Sequence, residues 1–233
     1  TLGMEVAGTV LRVGYGVDQP SVGARVAVFG GSGGLAEQGV FPANRCVVLP
    51  DGMPFTDAAA FMVAYGTSHM ALDYKAGLQA DETLLVLGAA GGVGLTAGEI
   101  GKAMGARVIA CARGPEKLDV ARAAGADHLI DAKTEDIREV CKSLGGVDVV
   151  YDPVGGDQFT AAFRACRPEA RFLTIGFASG EVPKAAANHL LVKNISLIGF
   201  YWGGYLKFNP TALTNSLETL FAWYAEGKIK PHI

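Results

Sequence analysis

The stretch Thr83–Gly105, T-L-L-V-L-G-A-A-G-G-V-G-L-T-A-G-E-I-G-K-A-M-G, constrains the fold more than any other part of the chain. Thr83 to Leu87 is apolar with no polar face, which is how a strand covered on both sides reads. Gly88, Gly91, Gly92 and Gly94 then crowd into one short turn. From Gly92 onward the pattern becomes helical, with Val93, Thr96, Ala97, Ile100 and Met104 on one face. Strand, glycine turn and helix in that order aim unpaired backbone N–H groups at one spot. The start of the helix adds roughly half a positive charge there. A diphosphate fits such a place because no side chain holds the backbone away from it.

A lone G-x-G-x-x-G is weak evidence, and here Ala89 stands where its first Gly belongs. The context is more specific. A second strand, Arg107 to Cys111, and a helix from about Pro115 to Ala124 complete the strand–helix–strand unit that a dinucleotide site requires. The alternative is a tight turn in some other α/β fold. Ala90, Gly91, Gly92 and Val93 are the candidate diphosphate contacts. At the end of the second strand an NAD site places Asp or Glu, to accept hydrogen bonds from the ribose 2′-OH. This chain has Cys111-Ala112-Arg113 there, and Lys117 one helical turn on. Two cations in place of an acid suit a 2′-phosphate, which favours NADPH over NADH. The competing reading makes Arg113 and Lys117 ordinary solvated charges, although a helix start disfavours Lys.

Length and composition set the outer bounds. The 233 residues are 50% apolar, with 32 Gly and a net charge of -3, enough for one large or two modest domains with a core. Nothing in that charge favours a nucleic-acid partner or an anionic membrane. No apolar run is long enough to span a bilayer, and no secretory leader pattern opens the chain. Cys46, Cys111, Cys141 and Cys166 are scattered, with Cys111 in an expected strand and Cys141 and Cys166 in expected helices. Reduced, mostly buried thiols in a cytoplasmic protein are the expectation.

Before Met62 the chain has strand character. Glu5–Val13 and Ala24–Phe29 read as strands, with short strands at Val40–Phe41 and Cys46–Leu49. The run Gly3-Met4-Glu5-Val6-Ala7-Gly8, then V-L-R-V-G-Y-G-V and V-G-A-R-V, resembles the medium-chain dehydrogenase/reductase superfamily. The A-A-G-G-V-G turn, the strand end without an acid and the later G-F-A-S-G narrow the resemblance to its zinc-free quinone oxidoreductase branch, the one containing zeta-crystallin. The resemblance covers essentially all 233 residues. It implies an α/β protein: a doubly wound parallel Rossmann sheet plus a partial GroES-like β-barrel catalytic domain. The expected division is 1–66 for the catalytic part, 67–204 for the dinucleotide-binding domain and 205–233 for a helix and strand returning to the catalytic part. The family's opening segment and its C-terminal strand and helix are expected outside Thr1–Ile233. Zinc alcohol dehydrogenases carry Gly-His-Glu where this chain has Gly3-Met4-Glu5. Met4 supplies no imidazole, so no metal is expected. Ala24 replaces a familiar Asp, which reads as a lost surface contact.

Val63 to Tyr74 reads as one helix joining the two parts. The resemblance places Thr67, in T-S-H-M-A-L, near the nicotinamide. Tyr65 either lines the same cleft or packs in the core, and His69 reads as a filler rather than an acid catalyst. Beyond Gly125, strands at Asp127–Ile130, Val147–Tyr151, Arg171–Ile175 and Ile195–Tyr201 alternate with helices at Glu135–Ser143 and Gln158–Cys166. That alternation predicts a parallel sheet with its ligand outside the carboxyl ends of the strands. The loops Asp152–Gly156 and Gly176–Gly180 belong to that rim, and the resemblance implies that Val154, Phe177 and Ala178 approach the ribose and nicotinamide. Ala132 stands where relatives often have a Tyr near the adenine. The apolar edge strand 195–201 is expected to pair with its copy in a homodimer. Pro210–Gly227 reads as an amphipathic helix, with a strand after Lys228.

The implied function is NADPH-dependent reduction of a quinone or a similar electron-poor, carbonyl-conjugated small molecule. An NADPH-dependent enoyl-thioester reductase and a non-catalytic, crystallin-like NADPH-binding protein stay open beside it. No catalytic side chain is named, since hydride transfer needs position and a dry pocket more than a nucleophile or a base.

Overall fold

The computed structural model describes residues 1–233. They divide into two compact units, one of Thr1–Gly66 with Thr214–Ile233, the other of Thr67–Leu213.

In the first unit β1 (Glu5–Thr9), β2 (Arg25–Phe29) and β3 (Cys46–Val48) form an antiparallel sheet in that order. Val26, Ala27 and Val28 are buried, as a central strand demands. β1 stops at Thr9 instead of reaching Val13, and Val40–Phe41 is not a strand. The Phe41 ring acts as a plug: side chains at Gly30 and Gly39 would stand 2.7 and 2.5 Å from it. Those glycines therefore make room for an aromatic ring, which strand-period reading does not register. A short helix that periodicity missed, α1 (Phe55–Ala59), starts directly after Pro54. Next comes α2 (Met62–His69), whose Val63 N–H donates to Glu5 Oε1 at 2.7 Å. Burial pushes the Glu5 carboxyl up, while the backbone N–H groups it caps pull it back down. Phe61 is the centre of this unit's core, stacked on Tyr65 at 4.5 Å and on Phe221 at 5.3 Å.

The expected single helix Val63–Tyr74 is instead α2 followed by a π-helical turn, Met70–Lys75. The Ala76 N–H reaches back five residues to the Ala71 carbonyl at 3.0 Å. The widened turn keeps Met70, Ala71 and Leu72 buried and leaves Asp73, Tyr74 and Lys75 exposed.

The second unit alternates strand and helix through β4 (Thr83–Leu87), α3 (Gly92–Ala103), β5 (Arg107–Ala112), α4 (Pro115–Ala123), β6 (His128–Asp131), α5 (Ile137–Ser143), β7 (Val147–Asp152), α6 (Gly156–Ala165), β8 (Cys166–Thr174), α7 (Ala187–Lys193) and β9 (Ser196–Gly199). The six strands lie parallel in the order β6-β5-β4-β7-β8-β9. Every residue of β4 is fully buried, which explains its unbroken apolar run. α8 (Tyr205–Phe208) and α9 (Pro210–Ala225) follow, and no strand forms over 228–233. The chain builds outward from β4 to β6, then returns to lay β7 on the other side of β4. The order therefore reverses between β4 and β7, and a crevice opens outside their carboxyl ends, where open α/β sheets bind ligands.

Two expectations need correction here. Cys166 opens β8 rather than closing a helix, and β8 begins well before Arg171. Its register against β7 jumps from Val147↔Cys166 to Val149↔Arg171, across Pro168 and the positive-φ Glu169. A bulge holding a proline hides a strand from pattern reading. α5 starts at Ile137, where Asp136 accepts the Glu139 N–H at 3.1 Å as the cap. α7 lies between Gly180 and Ile195, where the sequence pattern assigned no element, and ends at Asn194 in the left-handed conformation.

Candidate dinucleotide site

The turn between β4 and α3 is held from beneath. Ala89 N–H donates to the Cys111 carbonyl at 3.0 Å, and Gly91 N–H to the Gly88 carbonyl at 2.9 Å. The first helical bond runs from Leu95 N–H to the Gly91 carbonyl at 2.8 Å. The N–H groups of Gly92, Val93 and Gly94 precede it, so the helix itself offers them no acceptor. Two glycines are there for close packing. A Cβ on Gly94 would stand 2.2 Å from the Gly88 carbonyl oxygen, and one on Gly88, at φ +61, would stand 2.9 Å from Val154 Cγ2. Gly92 is different, with nothing within 4 Å of its Cβ position. Ala90 is half-buried while Gly91 and Gly92 are exposed. The result is an open backbone cradle, with Ala90, Gly91, Gly92 and Val93 around it. Gly94 was missing from the expected site residues, although its place in the glycine pattern was a usable signal.

At the end of β5, Arg113 and Lys117 are both exposed, flanking Gly114 (φ +86) and the N-terminal Pro115 of α4. The structure adds a third cation that sequence reading missed. Lys133 Nζ stands 3.5 Å from where a Cβ on Gly114 would be. An acid is also present, but one strand further along. Asp131, closing β6, accepts the N–H groups of Gly114 and Lys133 through Oδ1, both at 3.0 Å. Those backbone bonds hold its carboxyl below the usual carboxylate range. Ala132 beside it is half-buried.

The loops after β7 and β8 are tied to each other. Asp152 is fully buried, and its Oδ1 accepts the N–H groups of Val154 at 2.7 Å and Gly155 at 2.9 Å. Burial pushes this carboxyl up, and the two N–H bonds pull it partway back. Ala178 N–H donates to the Pro153 carbonyl at 3.0 Å and Ser179 N–H to the Val154 carbonyl at 2.9 Å. The structure thus brings together Val154, Ala178, the 43% exposed Phe177 and, through the Gly88–Val154 contact, the glycine turn after β4. Arg113 and Lys117 sit apart from that group, beyond β5. Thr67 is buried on α2, and its neighbour Ser68 bonds the Val93 carbonyl. Tyr65 is buried in the aromatic stack on Phe61, so it packs in the core. His69 is buried as well, and burial lowers its pKa against a smaller opposing pull from Asp73. Met4 is 55% exposed, and no group of three or more His, Cys, Asp or Glu side chains comes together.

A parallel six-stranded sheet with this cradle at its switch point, joined to a small antiparallel sheet, defines a medium-chain dehydrogenase/reductase. Residues 92–222 match the family model described as zinc-binding dehydrogenase, and residues 1–51 match the alcohol dehydrogenase GroES-like domain. Within that superfamily the chain belongs to the zinc-free quinone oxidoreductase branch. It is 39% identical to a quinone oxidoreductase-like protein 2 homolog of Nematostella vectensis, over 99% of this chain and 65% of that one. The chain therefore spans about two thirds of the length of the curated relatives it matches. Among solved structures it is similar to the Escherichia coli quinone oxidoreductase complexed with NADPH, at 31% identity and TM-score 0.89, covering 100% of this chain and 72% of that one. It is also similar to the CurK enoyl reductase, at 28% identity and TM-score 0.86, covering 99% and 71%.

Proposed function

We propose that the chain forms the cofactor-binding part of an NADPH-dependent reductase that passes hydride, without a metal, to quinones or similar electron-poor carbonyl-conjugated acceptors. The observation that carries this reading is one pairing. An open backbone cradle at Gly91–Gly94 is followed by a β5 end that holds Arg113 and Lys117 and no acid. The residues present fit the cofactor, because a Cβ at Gly94 would force α3 away from the Gly88 carbonyl that shapes the turn, and one at Gly92 would stand in its open space. Ala90, Gly91, Gly92 and Val93 hold the diphosphate, and Arg113 and Lys117 the 2′-phosphate. Thr67, Val154, Phe177 and Ala178 face the ribose and nicotinamide. When bound, the nicotinamide supplies the hydride. The protein's share is position and exclusion of water, and a quinone oxygen takes its proton from solvent. The names of the quinone oxidoreductase relatives support this substrate class.

Two further elements belong to the proposal. β9 is a sheet edge with Ser196, Leu197 and Gly199 exposed, which supports pairing with a second copy. The small-molecule partner rests on the names of the quinone oxidoreductase relatives, and no helix is long and apolar enough to cross a membrane. The likeness to an enoyl reductase favours one second reading, reduction of an enoyl thioester. The test is NADPH oxidation by the purified protein with 1,4-benzoquinone and with a 2-enoyl-CoA in parallel. Faster turnover of the quinone is expected. Faster turnover of the thioester would replace the substrate class, and cofactor binding without turnover of either would leave a non-catalytic binder.

A further inference from the structure

Three hydroxyls from three different elements meet beneath the diphosphate turn. Ser68 Oγ, on α2, lies 2.8 Å from Thr96 Oγ1 on α3 and 3.0 Å from Tyr151 OH on β7. It also donates to the Val93 carbonyl at 2.9 Å. Thr96 Oγ1 lies 3.2 Å from the Gly92 carbonyl and 3.1 Å from that of Val93. All three side chains are buried, Ser68 completely. A self-consistent proton assignment exists. Ser68 donates to the Val93 carbonyl, Tyr151 donates to Ser68, and Thr96 shares its one proton between Ser68 Oγ and the Gly92 carbonyl in a three-centre bond. Burying three hydroxyls is costly unless each is satisfied, and here one node satisfies all of them.

The carbonyls this node holds belong to the peptides that carry the N–H groups of the cradle. In a trans peptide the C=O and the following N–H point in opposite directions. Drawing the Val93 oxygen down toward Ser68 therefore turns the Gly94 N–H up, and the Thr96 hydroxyl near the Gly92 oxygen does the same for the Val93 N–H. Tyr151 braces Ser68 from the sheet. We infer that Ser68, Thr96 and Tyr151 are positioning residues that aim the Val93 and Gly94 amides at the dinucleotide diphosphate. The inference rests on the dinucleotide reading given above.

The experiment is calorimetric titration of wild type, Ser68→Ala and Tyr151→Phe with two ligands. One is NADPH. The other is adenosine 2′-monophosphate, which carries the 2′-phosphate and no diphosphate. Ser68→Ala is expected to weaken NADPH about fivefold, the equivalent of about one hydrogen bond. Tyr151→Phe, which keeps the ring and so the packing, is expected to weaken it by a smaller factor, and the double change by less than the product. Adenosine 2′-monophosphate is expected to bind all forms alike, which separates aiming of the turn from general loosening of the fold. Should Ser68→Ala fail to fold, Tyr151→Phe decides alone by the same comparison. Equal NADPH affinity in variants and wild type overturns the inference and leaves the dinucleotide reading standing, as does parallel loss for both ligands. Wild type that binds no NADPH overturns both.

Discussion

Gly94→Ala and Gly92→Ala are the same chemical change two residues apart on one helix, and they should have opposite effects on stability. A Cβ at 94 would stand 2.2 Å from the Gly88 oxygen, 2.8 Å from the Gly88 carbonyl carbon and 3.0 Å from Ala89 Cα. Ordinary contact begins at 3.4 Å, so the overlap with the oxygen is 1.2 Å. All three atoms are backbone in a turn pinned by the Gly91–Gly88 and Ala89–Cys111 hydrogen bonds, so no side chain can swing aside. Overpacking of this kind costs about 1–3 kcal/mol, and the helix propensity gained by Gly→Ala returns only about 1. With only backbone to yield, the cost lies at the upper end of that range, so a net loss of about 2 kcal/mol is expected by urea unfolding. The displacement of α3 from the turn should also weaken NADPH at least tenfold. At Gly92 the Cβ meets nothing within 4 Å and the backbone needs no positive φ, so stability should hold or rise by a few tenths of a kcal/mol. Affinity should nonetheless fall, because the methyl would occupy the space assigned to the diphosphate. If Gly92→Ala bound NADPH as wild type does, or Gly94→Ala were as stable as wild type, the assignment of close packing at 94 and an open cradle at 92 would be refuted.

Two further outcomes rest on side chains away from the turn. Arg171 bonds both carboxylate oxygens of Glu82, at 2.7 and 2.6 Å, and the Ala76 carbonyl at 2.9 Å. The Arg171 hydrogen bonds hold the Glu82 carboxyl below its ordinary 4.5, so its stabilising contribution is present above that pH and lost as pH falls through the lower folded value. Arg171→Met should destabilise by about 1 kcal/mol near neutrality and flatten the loss of stability below pH 4.5; an unchanged acid slope would count against the pair. Burial pushes the thiols of Cys111, Cys141 and Cys166 up to about 12, so alkylation of the folded chain at neutral pH should be confined to the half-buried Cys46. Labelling of the other three at the same rate would show that the sheet opens readily.

The sheet and the glycine turn at its rim were legible because each signal was local. β4 is a run of buried residues, the glycines follow at once, and α3 repeats its apolar face at helical spacing. What stayed hidden depended on contacts distant in sequence or on exceptions to periodicity. β8 was truncated in reading because Pro168 and Glu169 interrupt it as a bulge. The π turn at Met70–Lys75 keeps helical composition while changing the hydrogen-bond step. Lys133 reaches the Gly114 loop only because β6 packs beside β5. Ser68 and Tyr151 stand 83 residues apart, and nothing in either neighbourhood announces a shared hydrogen bond. Phe41 was read as a strand residue because the glycines that accommodate its ring look like ordinary turn residues.

The most direct measurement titrates wild type and the Arg113→Gln/Lys117→Gln double variant with NADPH and with NADH. Wild type should prefer NADPH by about tenfold or more, since a charge-assisted hydrogen bond to phosphate is worth about 1.5–3 kcal/mol before screening at these exposed side chains. The double variant should bind both dinucleotides with similar, weaker affinity, the diphosphate cradle being intact. An unchanged preference in the variant would remove these two cations from the 2′-phosphate, and a wild type that bound neither dinucleotide would contradict the account as a whole.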